Sequence, residues 1–255
     1  RIDPDTGAVL ATIDVGERPL KAQPADGRMW VRTADAFVGI DAETNMIDAT
    51  LLKSDVGPAT NRNWAVDGTM WVCDGRQLHR YDPSTLERTA TIQLAIDCDY
   101  VQVWDDLVVV WVYNDDPSLS ADPAAAMIDT STNEVLATIP LPVDVLAPSV
   151  FEDRVFFAGN YTSSAVVIDR ADWSVAETPD LGRVTHGGNI ATDGTSIYVP
   201  TEDGFPKDVL VVDASTYDVV DTIEPLDLNA LALDDGSLWV ASGRLGVVQR
   251  IDLPM

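Results

Sequence analysis

Along its length the chain alternates short apolar, β-branched and aromatic runs with polar turns. None of the runs is long enough, or has the 3.6-residue period, to make a stable helix. Two polar landmarks punctuate them. The first is an apolar residue, an Asp and a turn, often with Thr three residues after the Asp. It occurs as Ile2-Asp3-Pro4-Asp5-Thr6-Gly7, Ile40-Asp41-Ala42-Glu43-Thr44, Tyr81-Asp82-Pro83-Ser84-Thr85, Ile128-Asp129-Thr130-Ser131-Thr132 and Val212-Asp213-Ala214-Ser215-Thr216. Ile168-Asp169 is a degenerate copy and Ile251-Asp252 a truncated one. The second landmark is an acidic-Gly turn leading into an aromatic strand: Asp26-Gly27-Arg28-Met29-Trp30-Val31, Asp67-Gly68-Thr69-Met70-Trp71-Val72, Asp235-Gly236-Ser237-Leu238-Trp239-Val240 and, with one extra residue, Asp193-Gly194 to Tyr198-Val199.

Successive copies lie about 40 residues apart, and each predicts four strands, a to d, in an antiparallel meander. Asp-Gly supplies the positive φ that a tight a–b hairpin wants. In the c–d turn the Asp carboxylate accepts from backbone amides two residues on, and Pro presets φ. One four-stranded meander cannot cover both of its faces, whereas six arranged radially can. The expected fold class is all-β: a single β-propeller domain over residues 1–255, with six four-stranded blades. Residues 8–13 read as a strand d without its own a and b, and the last unit ends after strand c. Pairing the two would close the last blade and leave residues 1–3 surplus. Seven blades with upstream strands missing is the alternative.

Composition narrows the function classes. Hydrophobic residues make up 46% of the chain, enough for a continuous core rather than disorder. No stretch approaches 18 uninterrupted apolar residues, so no membrane insertion is expected. Against 16 Lys+Arg stand 42 Asp+Glu, a net charge of −26 that repels phosphate backbones and argues against nucleic acid. The opening Arg1-Ile2-Asp3 shows no signal peptide and falls in mid-repeat, as expected of an exported chain whose leader has been lost. The expected location is extracellular, cell-surface or periplasmic. Cys73 ends a strand b and Cys98 opens the next strand a, near one face of neighbouring blades, where a disulfide is geometrically allowed. Neither cysteine has CxxC or zinc spacing.

In a propeller of this order the b–c and d–a connections gather at the mouth of the channel, and the Asp-Gly and Asp-x-x-Thr turns lie on the opposite face. Asp41, Asp82, Asp129 and Asp213 repeat in register and read as turn-formers. Trp30, Trp71, Trp111 and Trp239 repeat too and read as inter-blade packing. The residues that break the repeat at the mouth are more informative. Arg62, Trp64, Tyr100, Tyr113, Asn160, Asn189 and Arg244 mix charge, amide and aromatic surface, as a pocket for a small molecule, peptide or protein does. Arg32, Asn63, Asp74, Asp99 and Asn114 fall at the same face. His186 precedes Gly187-Gly188-Asn189 at the start of a strand a, and Glu202 follows strand b of the same blade. That pair would hold a divalent cation, magnesium or calcium, or act as acid and base. No other cofactor is called for. His79, on a strand c, reads as structural. The loop from Asn114 to Pro123 is rich in oxygen ligands without EF-hand spacing. Phosphate loops, nucleophilic triads and dinucleotide fingerprints are absent.

The pattern Asp-Gly-x-x-Trp-Val … Ile-Asp-x-x-Thr-x-x-Val-x-x-Thr-Ile resembles the YVTN-type β-propeller repeat proteins, and it is similar to the streptogramin B lyase-like propellers. The resemblance spans nearly the whole chain and implies the fold, while these families include surface proteins, binding modules and a few enzymes. In the lyases a channel-mouth His and Glu, with magnesium, open a cyclic ester by elimination, and His186 and Glu202 occupy similar places. The family's second histidine and its recurrent Thr-Glu are missing here, and the lyases have seven blades. The expected function is therefore a non-enzymatic exported or surface propeller that binds a ligand or protein at its channel-mouth face. A metal-assisted lyase or lactone hydrolase at His186 and Glu202 is the alternative, and a structural part of a surface assembly the third.

Overall fold

The computed structural model describes all residues except 4–5, 57–63, 113–121, 186–188, 202–206, 225–227, 229, 235, 243–244 and 254–255. Its strands form six antiparallel sheets in chain order. The first contains β1 (Lys21–Ala25), β2 (Arg28–Arg32), β3 (Ala36–Asp41) and β4 (Ile47–Leu52). One helical turn, α1 (Lys53–Val56), follows. The second sheet contains β5 (Trp64–Val66), β6 (Met70–Asp74), β7 (Gln77–Tyr81) and β8 (Arg88–Gln93). The third contains β9 (Tyr100–Val103), β10 (Leu107–Trp111), β11 (Ala124–Asp129) and β12 (Val135–Pro140). In the fourth are β13 (Val145–Phe151), β14 (Arg154–Gly159), β15 (Thr162–Asp169) and β16 (Val175–Glu177), with β17 (Asp180–Thr185) also paired to β15. The fifth holds β18 (Ala191–Thr192), β19 (Ser196–Pro200), β20 (Val209–Asp213) and β21 (Val219–Ile223). The sixth holds β22 (Ala230–Asp234), β23 (Ser237–Ser242) and β24 (Val247–Asp252). This is the six-bladed β-propeller class that the repeat predicts.

The expected closing strand is corrected. Among the described residues the sixth sheet has three strands. Residues 8–13 are instead turned back on the chain's own start: Ile2 bridges Val9, and the Leu10 amide donates to the Arg1 carbonyl at 2.8 Å. The reason is local. Asp3 makes the same turn as its five internal copies, accepting from the Thr6 amide at 2.9 Å, and Gly7 takes the left-handed position. The c–d hairpin of residues 1–10 therefore holds together by itself.

That turn recurs with little variation. After Asp41, Asp82, Asp129, Asp169 and Asp213, the residue four positions on (Asn45, Leu86, Asn133, Trp173, Tyr217) has φ between 58° and 62°. Its amide donates to the Asp carbonyl at 2.8–2.9 Å. The left-handed position is costly for Leu, Trp or Tyr. It is held by the paired backbone bonds and by the Asp side chain, which caps the amides inside the loop. The sheets also bulge at this point, with register shifts at Gly39/Ile40, Arg80/Tyr81, Val167/Ile168 and Val211/Val212.

The chain divides into two compact units, Arg1–Trp111 with Ala126–Thr138, and Val112–Ala125 with Ile139–Met255. In the first, strand alternation splits each central strand between two cores. Met70 and Val72 of β6 pack with Trp30, Phe37 and Trp64, while Trp71 and Cys73 pack with Val101, Val108 and Ile128. Trp30 and Trp71 thus fill equivalent places, as expected of inter-blade packing. In the second unit Phe156 occupies the corresponding position against Ile197, Val199 and Leu210, and Tyr198 faces the other way, toward Leu231 and Val240. Trp111 is buried, whereas Trp239 is half-buried under the Arg250 guanidinium at 5.7 Å.

Candidate functional site

Each sheet has a turn end, carrying the a–b and c–d turns, and a connection end, carrying the b–c and d–a connections. At the turn end the aspartates are scaffold, as their repetition indicates. Asp129 Oδ1 accepts from the Ser131 hydroxyl at 2.6 Å and from the amides of Ser131 and Thr132 at 2.8 and 2.7 Å. Those bonds, the Ser131 hydroxyl foremost, hold its carboxyl down at about 2. Asp41, Asp82 and Asp213 are lowered by the same kind of bond.

The turn end also carries a cleft of about 520 Å³ lined by Arg28, Thr69, Arg80, Asp82 and Asn133 among others. Several of its polar groups already have partners. Arg28 is bidentate to Asp48, Arg80 donates to Asn133 Oδ1 at 3.0 Å, and Asp82 accepts from Ser84. A smaller cleft in the second unit, by Glu152, Thr195 and Asp213, uses the same repeat positions. The cleft is a by-product of stacking these turns, so its size does not make it the site.

The connection end of the first unit is different. Lys21 begins β1 and Arg32 ends β2, directly opposite each other in register. Directly opposed residues share a face of the sheet; Phe37, opposite Arg32 on β3, shares it too, and Trp64 of β5 packs against it. The Lys21 ammonium donates to the Trp64 carbonyl at 3.2 Å and lies 5.8 Å from the centre of the Trp64 ring. The Arg32 guanidinium is 6.0 Å from the Phe37 ring, and the Phe37 and Trp64 rings are 5.5 Å apart. Both cations are thus within cation–π range of aromatic faces. Burial, and then the Arg32 charge, push the Lys21 amine down to about 8. Burial likewise lowers Arg32, which is 1% exposed.

One blade further on, Tyr100 at the start of β9 lies opposite Trp111 at the end of β10, their rings stacked at 5.2 Å. Cys73 and Cys98 are joined in a buried disulfide with Cα atoms 5.4 Å apart, tying the end of β6 to the approach to β9. The spacing that allowed this bridge in the sequence is realised in the structure.

The predicted site residues scatter. Trp64 is wholly buried, a wall rather than a surface, and Tyr100 is half-buried. In the second unit, Asn160 is 7% exposed with its amide on the Asp144 carbonyl, while Asn189 is exposed. Arg62, Tyr113, His186, Glu202 and Arg244 lie outside the described residues, as do Asn63 and most of the acidic loop from Asn114. Thr185 and Thr201, which precede His186 and Glu202, bridge each other, and Arg183 pairs with Asp208 at 2.6 Å. Among the described residues no three His, Cys, Asp or Glu side chains are grouped to hold a metal. His79 is buried, with Nδ1 3.0 Å from the Thr91 hydroxyl, and burial lowers its pKa, consistent with a structural role. The sequence reading passed over Lys21. The signal was available: it is one of only three lysines, and it sits inside a strand on the core-facing side.

No family model matches the chain, and no match among curated proteins is found. Solved structures do match. BamB from Moraxella catarrhalis superposes with a TM-score of 0.68 at 18% identity, over 99% of this chain and 75% of that one. Hydrazine synthase of Kuenenia stuttgartiensis gives 0.68 at 14%, over 96% and 79%. The WD40 domain of Neurospora crassa Pan2 gives 0.66 at 8%, over 87% and 71%. At such identities the likeness speaks for the fold alone, and the chain is a β-propeller protein.

Proposed function

We propose that the chain is an exported, non-enzymatic β-propeller of the YVTN-repeat kind, binding a ligand or protein partner through the connection end of its blades. The Cys73–Cys98 disulfide carries this reading. It is buried, it links two blades, and it fastens the connection end beside Tyr100. Disulfides persist in oxidising compartments, which agrees with an acidic protein working outside the cytoplasm. A fastened surface also loses less conformational freedom on binding. Trp64, Tyr100 and Arg62 belong to this face in the first unit by their place in the repeat. Tyr113, Asn160, Asn189 and Arg244 are the corresponding proposal for the second.

The test is retention of partners from extracellular extract on the immobilised chain. Wild type is compared with Tyr100→Ala at the connection end and Asp82→Asn at the turn end. The expected result is a partner kept by Asp82→Asn and weakened at least about tenfold by Tyr100→Ala, as for an aromatic anchor. A partner indifferent to Tyr100→Ala and lost with Asp82→Asn overturns the reading.

A further inference from the structure

We propose that Tyr161, with Asp144 beside it, forms a cation subsite at the connection end of the second unit, taking a lysine or arginine side chain of a protein partner. This rests on the reading of that end as the binding face, and it adds the chemistry of what is bound.

Tyr161 stands in the two-residue turn between β14 and β15, with φ at 55°. That angle is unfavourable for a bulky side chain. Among the described residues, the other large apolar side chains held so are Leu86, Trp173 and Tyr217. Each follows a repeated Asp turn, and each is half-buried or buried. Tyr161 has no such Asp before it and is 60% exposed, so packing does not account for a ring at this place. The turn that carries it is pinned. The Tyr161 amide donates to the Thr185 carbonyl at 2.9 Å, and the Asn160 amide to the Asp144 carbonyl at 2.8 Å. The buried Thr185 hydroxyl donates to the Gly159 carbonyl, and a Cβ at Gly159 would strike the Ser164 carbonyl. Rare backbone conformations held this firmly cluster at binding sites, and a ring on a fixed backbone loses little freedom on binding.

Asp144 supplies the charge. Asp41, Asp82, Asp129 and Asp213 cap their own turns, whereas the half-buried Asp144 carboxylate makes no hydrogen bond or ion pair among the described residues. Burial raises its pKa above the ordinary carboxylate value. The cation of the adjoining strand, Arg183 of β17, is already held by Asp208 at 2.6 Å. A cation from outside therefore meets a carboxylate short of water, with an aromatic ring on the residue next to its strand partner Asn160. The net charge of −26 draws basic segments toward the chain.

The experiment titrates wild type, Tyr161→Gly, Asp144→Asn and Asp82→Asn, at constant ionic strength, with an acetylated and amidated Gly-Arg-Gly-Arg-Gly peptide and its citrulline counterpart. Binding is followed by the amide resonances of residues 159–162, and the Asp144 carboxyl carbon is followed against pH. The subsite predicts saturable binding of the arginine peptide, weakened at least about tenfold by Tyr161→Gly, by Asp144→Asn and by citrulline. Asp82→Asn removes the same charge at the turn end and should leave the affinity unchanged. Saturating arginine peptide should also move the Asp144 midpoint downward. Glycine accepts a positive φ without cost, so Tyr161→Gly should melt no lower than wild type. Equal affinity in Tyr161→Gly or Asp144→Asn, equal affinity for the citrulline peptide, or an equal loss in Asp82→Asn overturns the proposal. So does an unmoved midpoint, which needs no variant, or a Tyr161→Gly that melts well below wild type, which makes the ring structural. Tyr100 stands in the other unit, so the two readings fail separately. A partner lost with Tyr100→Ala, while the peptide ignores Tyr161, keeps the binding face and removes this subsite, and the reverse holds too.

Discussion

The two ends of the first unit use charge in opposite ways. At the turn end, Asp41, Asp82 and Asp129 each close a turn with bonds to their own loop, and the only partners they need are two or three residues away. The solution is local, so it can be repeated blade after blade. At the connection end Lys21 and Arg32 come from two strands and meet Trp64 from a third, and nothing like this group recurs in the other described sheets. Groups that repeat have satisfied themselves. The group that does not repeat draws its partners from other strands.

This contrast can be broken at several levels. The largest effect belongs to the layer both ends share: Trp71→Ala, at a wholly buried site, should cost about 3–5 kcal/mol in denaturant unfolding. Next comes the covalent fastening. Replacing Cys73 and Cys98 together by Ala, 25 residues apart, should cost about 3 kcal/mol. Native-state hydrogen exchange should then rise around Tyr100 at the connection end and stay unchanged around Asp82.

The ionisations follow, and here the two ends should act in different pH windows, each with stability rising as pH climbs. Asp129 titrates at about 2 folded against an ordinary 3.8. The stability it contributes is therefore complete above pH 4 and lost as pH falls toward 2, and Asp129→Asn should flatten that limb of a melting-temperature profile. Lys21 is neutral above about 8 when folded, against an ordinary 10.5. The unfolded chain holds the extra proton between those values, so stability should rise as pH climbs from 8 to 10.5. Lys21→Met should abolish this slope, the smallest of the four effects because the side chain is only partly withdrawn from water.

What the sequence disclosed follows the same division. The Asp-x-x-Thr and Asp-Gly turns were legible because each is a few consecutive residues with a fixed backbone requirement, and the Trp-Val strands because their alternation has period two. The disulfide was legible because strand order put Cys73 and Cys98 at one end of adjacent sheets. The placement of residues 8–13 was misjudged because the pattern of a strand d does not say which strand c it joins. Lys21 was passed over for a related reason: its surroundings come from Arg32, Phe37 and Trp64, which reach it from other strands. Of the residues singled out in the sequence as site candidates, Trp64 and Tyr100 stand at the connection end of the first unit. Trp64 lies beneath the cations as part of the core, because an apolar position at the start of an inner strand is claimed by packing first.

The central claim is that binding belongs to the connection end. The direct measurement is amide hydrogen exchange of the chain alone and with the partner retained in the extract experiment. The account predicts protection at the starts of β5 and β9, around Trp64 and Tyr100, and none at the turns after Asp41, Asp82 and Asp129. Protection at those turns, with Trp64 and Tyr100 unchanged, would contradict it.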